Sequence, residues 1–148
     1  MKQIHSPDLA QAARKKRSWL RFLPAIIWMA VIFILSSRTG DDLDSVMPWF
    51  QKIFPGMESF DSGHFLEYFI LALTFDYAIG SKGDRIVWKV IIVSLCALYG
   101  VSDEFHQSFV PRRSPDINDV RNDAIGAALA VIVIAIPPIR KFWRKLAS

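Results

Sequence analysis

The chain has 148 residues, of which 52% are hydrophobic and 22% are charged, and its formal net charge is +4 at pH 7. This length predicts one domain, and the hydrophobic content slightly exceeds the roughly 45–50% that is usual in soluble domains. The basic residues flank long apolar runs. Anionic membrane lipid is therefore a simpler partner for them than nucleic acid, and we expect no nucleic-acid partner.

Four apolar runs are the candidate membrane spans, and in chain order they are Trp19–Ser37, Phe65–Ile79, Ile86–Val101 and Ala124–Ile139. A helix that crosses a bilayer needs about 20 mostly apolar residues, and three of these runs reach that length only with their polar flanks. A soluble bundle of buried helices is therefore the alternative interpretation. The first run lacks an A-x-A-like cleavage site, which favours a retained anchor over a cleaved signal peptide.

The distribution of charge favours the membrane interpretation. With four spans and both termini in the cytoplasm, thirteen of the 18 basic residues lie on inner segments, and eleven of the 14 acidic residues lie outside. Such sorting follows the positive-inside rule, whereas a soluble bundle has no reason for it. The sequence therefore predicts an all-α integral membrane bundle of four transmembrane helices in residues 19–139. Basic cytoplasmic tails are predicted at residues 1–18 and 140–148.

The segments between the runs carry local signals. In VMPWFQKIF, residues 46–54, apolar side chains recur at helical spacing, which predicts a short helix on the outer surface with its apolar face in lipid. A loop packed on the bundle is the alternative. Gly80–Gly83 predicts the tight inner turn between the second and third spans. Pro111 and Pro115 argue against a helix through the loop that follows the third span.

The predicted outer ends of the second, third and fourth spans are rich in ionisable residues. His64, Glu67 and Tyr68 share one helical face, because they are spaced i, i+3 and i+4. The other two helix ends contribute Asp103, Glu104, Gln107, Asp119 and Asp123. Since charged groups are costly in lipid, we expect all these side chains to face one another inside the bundle, at one level near the outer interface.

Two arginines, Arg112 and Arg113, follow the third span and can compensate these acids, because a guanidinium binds carboxylate or phosphate oxygens in pairs. In one interpretation they neutralise the acids and lock the helices together. In the other, acids and arginines line an outward-facing pocket for a polar or anionic head group. His106 lies between the polar faces and is interpreted as an interface residue. Asp76 and Asp84 are interpreted as solvated charges on the inner side.

Four motifs in these same regions give the chain a resemblance to a known family. They are His64-Phe65-Leu66-Glu67-Tyr68, Asp103-Glu104 with Gln107 and Phe109, Pro111-Arg112-Arg113, and Asp119 with Asp123 and Gly126. From about Phe22 to Ile139 the chain resembles VanZ-like membrane proteins. The resemblance implies a small four-span protein of the bacterial cell membrane, and the family's namesake confers low-level resistance to teicoplanin, a lipoglycopeptide. This chain departs from the family's usual pattern at Asp61, where Lys is common, and at Arg112, where Gly is common.

The residues support two kinds of function. An enzyme acting on an envelope lipid or lipid-linked substrate would use Glu104 or Asp103 as general acid or base, with His64 as a second proton carrier and Asp119 as a further catalytic candidate. The predicted substrate-binding residues are Glu67, Tyr68, Gln107, Arg112, Arg113 and Asp123. The alternative is a non-catalytic binding or scaffold protein in which the cluster of acids and arginines is structural. Transport is less favoured, since the sequence shows no paired half-helices.

The sequence leaves the question of a metal or other cofactor open. A histidine with several carboxylates suits a divalent cation, but no dense ligand spacing such as His-Glu-x-x-His occurs in the chain. The identity of the ligand and the oligomeric state are also left open.

Overall fold

The computed structural model describes residues 19–53 and 61–147. Within this part of the chain the fold is all-helical, as predicted, and contains no strand. The helices are α1 (Leu23–Ser36), α2 (Gly40–Ile53), α3 (Asp61–Ile79), α4 (Ile86–Gln107), α5 (Ile117–Ala135) and α6 (Pro137–Leu146). A 3₁₀ turn at Trp19–Phe22 leads into α1, and a second one at Gly80–Asp84 joins α3 to α4.

Two of the described helical segments are long and apolar enough to cross a membrane, namely Trp19–Ser36 and α4. Helices α5 and α6 pass the same test only as a pair, and a bend of 95° separates them. Length and composition therefore give two spans, or three if the bent pair counts as one. The membrane character of the chain is confirmed, while the count of four spans and the cytoplasmic position of the termini stay predictions.

Apolar side chains cover the outward faces of α1 and α4. Ile26 and Ile27 on α1 are more than half exposed, and so are Val90, Leu98 and Phe105 on α4. Soluble monomers rarely present continuous apolar surfaces of this extent to water. These faces suit contact with lipid tails, in agreement with the membrane interpretation.

Helix α3 is the central helix of the bundle. Its Tyr68, Leu71 and Ala72 side chains are fully buried, and its most extensive contact is with α5. At that contact Gly126 lies so close to the Phe65 backbone carbonyl that an added Cβ atom would clash with it. Small residues of this kind let helix backbones approach closely in lipid. The tight α3–α5 contact fixes the relative position of the polar residues that both helices carry.

The helices extend beyond the apolar runs at their polar ends. Helix α3 begins at Asp61 rather than at the start of the apolar run, and α4 continues to Gln107. At the other end, α5 stops at Ala135 because Pro137 and Pro138 have no N–H to donate to a continuing helix. Most of the segment predicted as a basic tail, residues 140–148, then belongs to α6.

The predicted surface helix is present as α2, although several of its features lie outside the described residues. Trp49 is 71% exposed, and the N-terminus of α2 contacts the loop after α4 through the Gly40 N–H, which donates to the Pro111 carbonyl at 3.4 Å. Phe54 and the predicted tail at residues 1–18 fall outside the described residues. Contact between α2 and lipid stays a prediction.

Asp76 corrects one expectation from the sequence, because it is fully buried rather than solvated. The Arg144 guanidinium bonds both of its carboxylate oxygens, at 2.5 and 3.3 Å, and the Trp143 indole N–H donates to it at 3.0 Å. Arg144 also bonds Asp84 at 2.9 Å. Partial burial would lower the pKa of Arg144, but the hydrogen bonds to the two carboxylates outweigh that effect and raise it.

The sequence could not show this ion pair, because it depends on the bend between α5 and α6. The bend brings the basic end of α6 against the end of α3, 68 residues away along the chain. Arg21 connects the same region to the start of the described chain, by donating to the Tyr77 and Ala147 carbonyls. The predicted tight turn beside it is confirmed, and Gly80 adopts a φ of 66°, which favours glycine.

Candidate functional site

The C-terminal end of α4 and the N-terminal ends of α3 and α5 meet at one end of the bundle, as the sequence predicts. We call the set of polar side chains there the polar cluster. It consists of His64, Glu67, Tyr68, Asp103, Glu104, Gln107, Asp119 and Asp123. All of these residues are buried except Glu67, which is half-buried. The predicted juxtaposition is therefore present in the structure, while the catalytic and binding roles assigned to these residues stay predictions.

The His64 side chain of α3 lies close to acidic side chains of both α4 and α5. Its Nδ1 atom lies 3.5 Å from Asp123 Oδ1, an ion-pair distance that is too long for a good hydrogen bond. His64, Glu104 and Asp119 each offer one nitrogen or oxygen atom, and these three atoms all lie within 4.8 Å of one another. Three helices thus supply one donor atom each to a space a few ångströms across.

Hydrogen bonds at the edge of the cluster hold two of the acids in position. Gln107 Nε2 donates to Asp103 Oδ2 at 3.2 Å, and the Asp116 backbone N–H donates to Glu104 Oε2 at 2.7 Å. Asp116 is also the N-cap of α5, since its side chain accepts from the Asn118 N–H at 2.8 Å. The start of α5 therefore fixes the orientation of a carboxylate on α4.

Several buried atoms of the cluster have no hydrogen-bond partner within the described part of the chain. They are His64 Nδ1, Tyr68 Oη, Asp103 Oδ1, Glu104 Oε1 and both carboxylate oxygens of Asp123. Buried polar atoms normally have a partner, because leaving one unsatisfied costs free energy. The cluster thus combines unbonded carboxylate oxygens on α4 and α5 with His64 and Tyr68 of α3, a set of atoms suited to contact with a cation or with a molecule that has hydrogen-bond donors.

The two arginines occupy different positions. Arg113 donates from Nε and from a terminal nitrogen to Gln107 Oε1, at 3.1 and 2.7 Å, and so lies at the edge of the polar cluster. The Arg112 side chain is 64% exposed and forms an ion pair with Asp41 of α2. The prediction that both arginines join the buried acids therefore fits Arg113 in position and does not fit Arg112.

The backbone conformation of Arg112 explains why glycine is favoured at this position of the Pro111-Arg112-Arg113 motif. Its φ is 59°, in the left-handed region where a side chain is unfavourable and glycine is preferred. Because the loop has to turn there to run from α4 towards α5, glycine is the natural residue at this position. The arginine in this chain therefore keeps the turn at a cost in backbone strain.

Gly100 is a residue whose role was not recognised from the sequence. A Cβ atom on Gly100 would clash with Asp123 Oδ2, so the absence of a side chain on α4 makes room for the carboxylate of α5. The available signal was its position one turn before Asp103 on the polar face of the helix. The contribution of the Asp116 backbone was also missed, because nothing in the sequence shows which carboxylate accepts from that N–H group.

Two further features lie outside the polar cluster. A cavity of about 310 Å³ lies towards the C-terminal end of α3 and is lined by the apolar parts of Pro24, Ile70, Leu73, Thr74, Tyr77 and Trp143. The His106 ring packs against the Phe33 ring, with the ring centroids 4.4 Å apart and the planes tilted by 32°, which fits its interpretation as an interface residue. An open pocket at the polar cluster stays a prediction.

The fold and the site together define a class of protein. It is a helical membrane protein with a buried cluster of acids and one histidine at the end of its central helices. Within that class, residues 21–137 match the model of the VanZ/LLP1 family. The chain belongs to this family, which confirms the resemblance seen in the motifs. No curated protein and no solved structure matches the chain. The family match includes every residue of the polar cluster.

Proposed function

We propose that the chain is a four-span protein of the bacterial cell membrane whose polar cluster binds the head group of an envelope lipid or lipid-linked molecule at the outer leaflet. The observation that carries this proposal is the set of buried carboxylates at the cluster with oxygens that lack hydrogen-bond partners in the described chain. Such a set is costly for a folded protein on its own, and a bound ligand would compensate it.

The topology in this proposal adds α3 to the more apolar helices as a span. Its 19 residues give a length of about 28 Å, close to the roughly 30 Å of the hydrocarbon core. Its polar side chains are tolerated because α3 is the central helix, with His64 beside acids of α4 and α5 and Asp76 paired with Arg144 of α6. The excess of basic residues on the predicted inner segments sets the orientation, with the polar cluster on the outer side.

The chemistry of the cluster supports a ligand that is both polar and lipid-linked. Free carboxylate oxygens accept hydrogen bonds from hydroxyl or ammonium groups, while Arg113 at the edge offers a charged fork to phosphate or carboxylate. Outward-facing apolar surfaces on the same helices suit the acyl or prenyl part of such a molecule. In an enzymatic version, Glu104 or Asp103 transfers a proton, and His64 and Asp119 complete the catalytic group.

A scaffold role for the cluster is the alternative, and the contacts of the arginines disfavour it. If the acids only locked helices together, the arginines would be expected to pair with them. Arg113 instead bonds the neutral Gln107 side chain, and Arg112 lies at the exposed surface beside Asp41. The resemblance to VanZ-like proteins links the proposed ligand to the action of teicoplanin.

Native mass spectrometry of the protein extracted in mild detergent tests head-group binding. We expect a lipid or lipid-linked adduct on the wild type, and loss of this adduct in the variant with both Asp103→Asn and Glu104→Gln. Asp84→Asn is the matched control, because it removes an acid at the other end of the bundle. A wild type without any adduct, or an adduct of the same mass on the wild type and on the double variant, contradicts binding at the cluster.

The same variants separate binding from catalysis. If the double variant retains the intact ligand while the wild type carries a chemically changed one, the cluster is catalytic. Loss of the adduct from the double variant, with the unaltered ligand on the wild type, supports a binding module.

Cysteine labelling tests the proposed topology, using Cys96→Ala as a background without thiols. Ser45→Cys and Ser81→Cys place single thiols at exposed positions that are predicted to lie outside and inside, respectively. In right-side-out spheroplasts, a membrane-impermeant maleimide should label the first and not the second. Both should react after permeabilisation. Labelling of Ser81→Cys in intact spheroplasts contradicts the topology.

Expression in a teicoplanin-sensitive bacterial strain tests the proposed link to resistance. We expect the wild-type chain to raise the inhibitory concentration of teicoplanin, and the variant Glu104→Gln to abolish the effect at equal expression. Equal sensitivity with and without the wild-type chain contradicts the link.

A further inference from the structure

We propose that His64, Glu104 and Asp119 bind one divalent cation, with Asp123 orienting the histidine from behind. The three ligands come from α3, α4 and α5, and their donor atoms already lie within 4.8 Å of one another. A metal about 2.1 Å from each atom would draw them to roughly 3.4 Å apart. Changes in side-chain torsion angles that move each donor atom by about an ångström would bring the atoms to this separation.

The surroundings of the ligands match what a metal site requires. All three residues are at least nine-tenths buried, so the side chains lose little further freedom on binding. Glu104 keeps Oε1 without a hydrogen-bond partner in the described chain, while its Oε2 accepts from the Asp116 N–H. One oxygen is thus anchored by the protein and the other is available to a cation.

Asp123 occupies the position of a supporting carboxylate. Metal-binding histidines usually direct their second ring nitrogen at a carboxylate or carbonyl, which fixes the orientation of the ring. The Nδ1 atom of His64 faces Asp123 Oδ1 at 3.5 Å, so the proposal assigns Nε2 to the metal. Gly100 keeps space for this carboxylate, because a Cβ atom there would clash with it.

The balance of charge also favours a cation over a bare anion at this position. The polar cluster contains five acids, Glu67, Asp103, Glu104, Asp119 and Asp123, in a space whose flanking arginine bonds a neutral amide. A divalent cation offsets part of this negative charge at short range. One imidazole and two carboxylates suit Zn²⁺ or Mn²⁺.

A cation at this position would let an acidic cluster hold a phosphate, because the metal would contribute positive charge beside Arg113. This second step rests on the proposed head-group function. The cation site itself does not depend on it, since its ligands are all side chains of this protein.

Calorimetric titration with ZnCl₂ tests the proposal on full-length protein in detergent, after removal of any affinity tag and treatment with a chelator. We expect saturable binding of one Zn²⁺ per chain. His64→Ala, Glu104→Gln and Asp119→Asn should each weaken it at least tenfold. Asp123→Asn should weaken it by roughly tenfold, the lower end of the usual range for supporting residues. His106→Ala and Asp41→Asn are matched controls and should bind like the wild type.

Absence of saturable binding to the wild type overturns the proposal, and so do unchanged affinities in the natively folded ligand variants. Circular dichroism identifies a variant that fails to fold. In that case Glu104→Asp, which keeps the carboxylate, provides the comparison and should bind more weakly than the wild type. Co²⁺ provides an independent readout, since its visible absorption should change on binding to the wild type and not to His64→Ala.

Mass spectrometry of the lipid adduct before and after chelation separates this proposal from the head-group function. Zn²⁺ binding without any lipid adduct means that the cation site exists and the proposed function is wrong. A lipid adduct on a protein that binds no Zn²⁺ means that the head-group function is right and the proposed cation site is wrong.

Discussion

Replacing Arg144 by glutamine should strongly destabilise the bundle, because it leaves the Asp76 carboxylate buried without its charged partner. Asp76 has no exposed surface, and Arg144 contacts both of its oxygens. Removing one member of a buried ion pair costs about 3–5 kcal/mol. Since the Arg144 side chain is 15% exposed and the Trp143 indole would still donate to Asp76, we expect a loss near the lower limit, about 3 kcal/mol.

A loss of this size lowers the equilibrium constant for folding by roughly a hundredfold. The free energy of unfolding can be measured by titrating the protein from a mild detergent with sodium dodecyl sulfate, following helix content and tryptophan fluorescence. Arg140→Gln is the matched control, because Arg140 is an exposed arginine on the same helix and should contribute little.

The double variant with Asp76→Asn and Arg144→Gln completes the test. It removes both charges, so it should be more stable than Arg144→Gln alone by 1 kcal/mol or more. If Arg144→Gln is no more destabilising than Arg140→Gln, or if Asp76→Asn fails to rescue it, the inferred buried ion pair does not stabilise the fold.

Three further substitutions test packing, backbone strain and the polar cluster. Gly126→Ala should lower the free energy of unfolding by about 1–3 kcal/mol, because its Cβ atom would meet the Phe65 carbonyl. The control Gly63→Ala has room for a Cβ atom and should not lower it. Equal effects of the two substitutions contradict the close contact. Arg112→Gly should be about 1 kcal/mol more stable than Arg112→Ala in thermal unfolding, because both lose the side chain and only glycine suits a φ of 59°; equal melting temperatures contradict backbone strain there. Asp123→Asn, measured in the presence of a chelator and without ligand, should leave the free energy of unfolding unchanged or raise it by about 1 kcal/mol. The reason is that it removes an incompletely compensated buried charge. A clear decrease in the free energy of unfolding would mean that this carboxylate stabilises the fold.

The sequence predicted the features that depend on periodicity. The helical spacing of His64, Glu67 and Tyr68 was enough to place them on one face, and the cost of charge in lipid was enough to turn that face inwards. Local signals also predicted the turn at Gly80 and favoured a helix in residues 46–54, with a loop as the alternative, and the structure has a longer helix there, at Gly40–Ile53.

Features that depend on the direction of a chain after a bend could not be predicted in this way. Pro137 and Pro138 in the apolar run that ends at Ile139 are a signal for the end of a helix, but nothing in the run shows that the chain turns there by 95°. Without that turn, Arg144 and Asp76 are two unrelated charges, and solvation was the reasonable expectation for each. The exposure of Arg112 was missed for a similar reason, since its direction is set by a positive φ.

The buried carboxylates at the two ends of the bundle differ in how completely the protein compensates their charge. At the end where α3 meets α6, Asp76 is paired with a bidentate arginine and an indole N–H, so its charge is compensated by the protein itself. At the polar cluster, Asp123 has no hydrogen-bond partner for either oxygen in the described chain, although Arg113 lies at the edge of the same cluster. The fold can therefore compensate a buried acid with its own side chains, and it does so less completely for Asp123, whose nearest charged group among the described residues is His64 at 3.5 Å. This incomplete compensation supports the proposed ligand, and three of the side chains match the chemistry of the proposed cation.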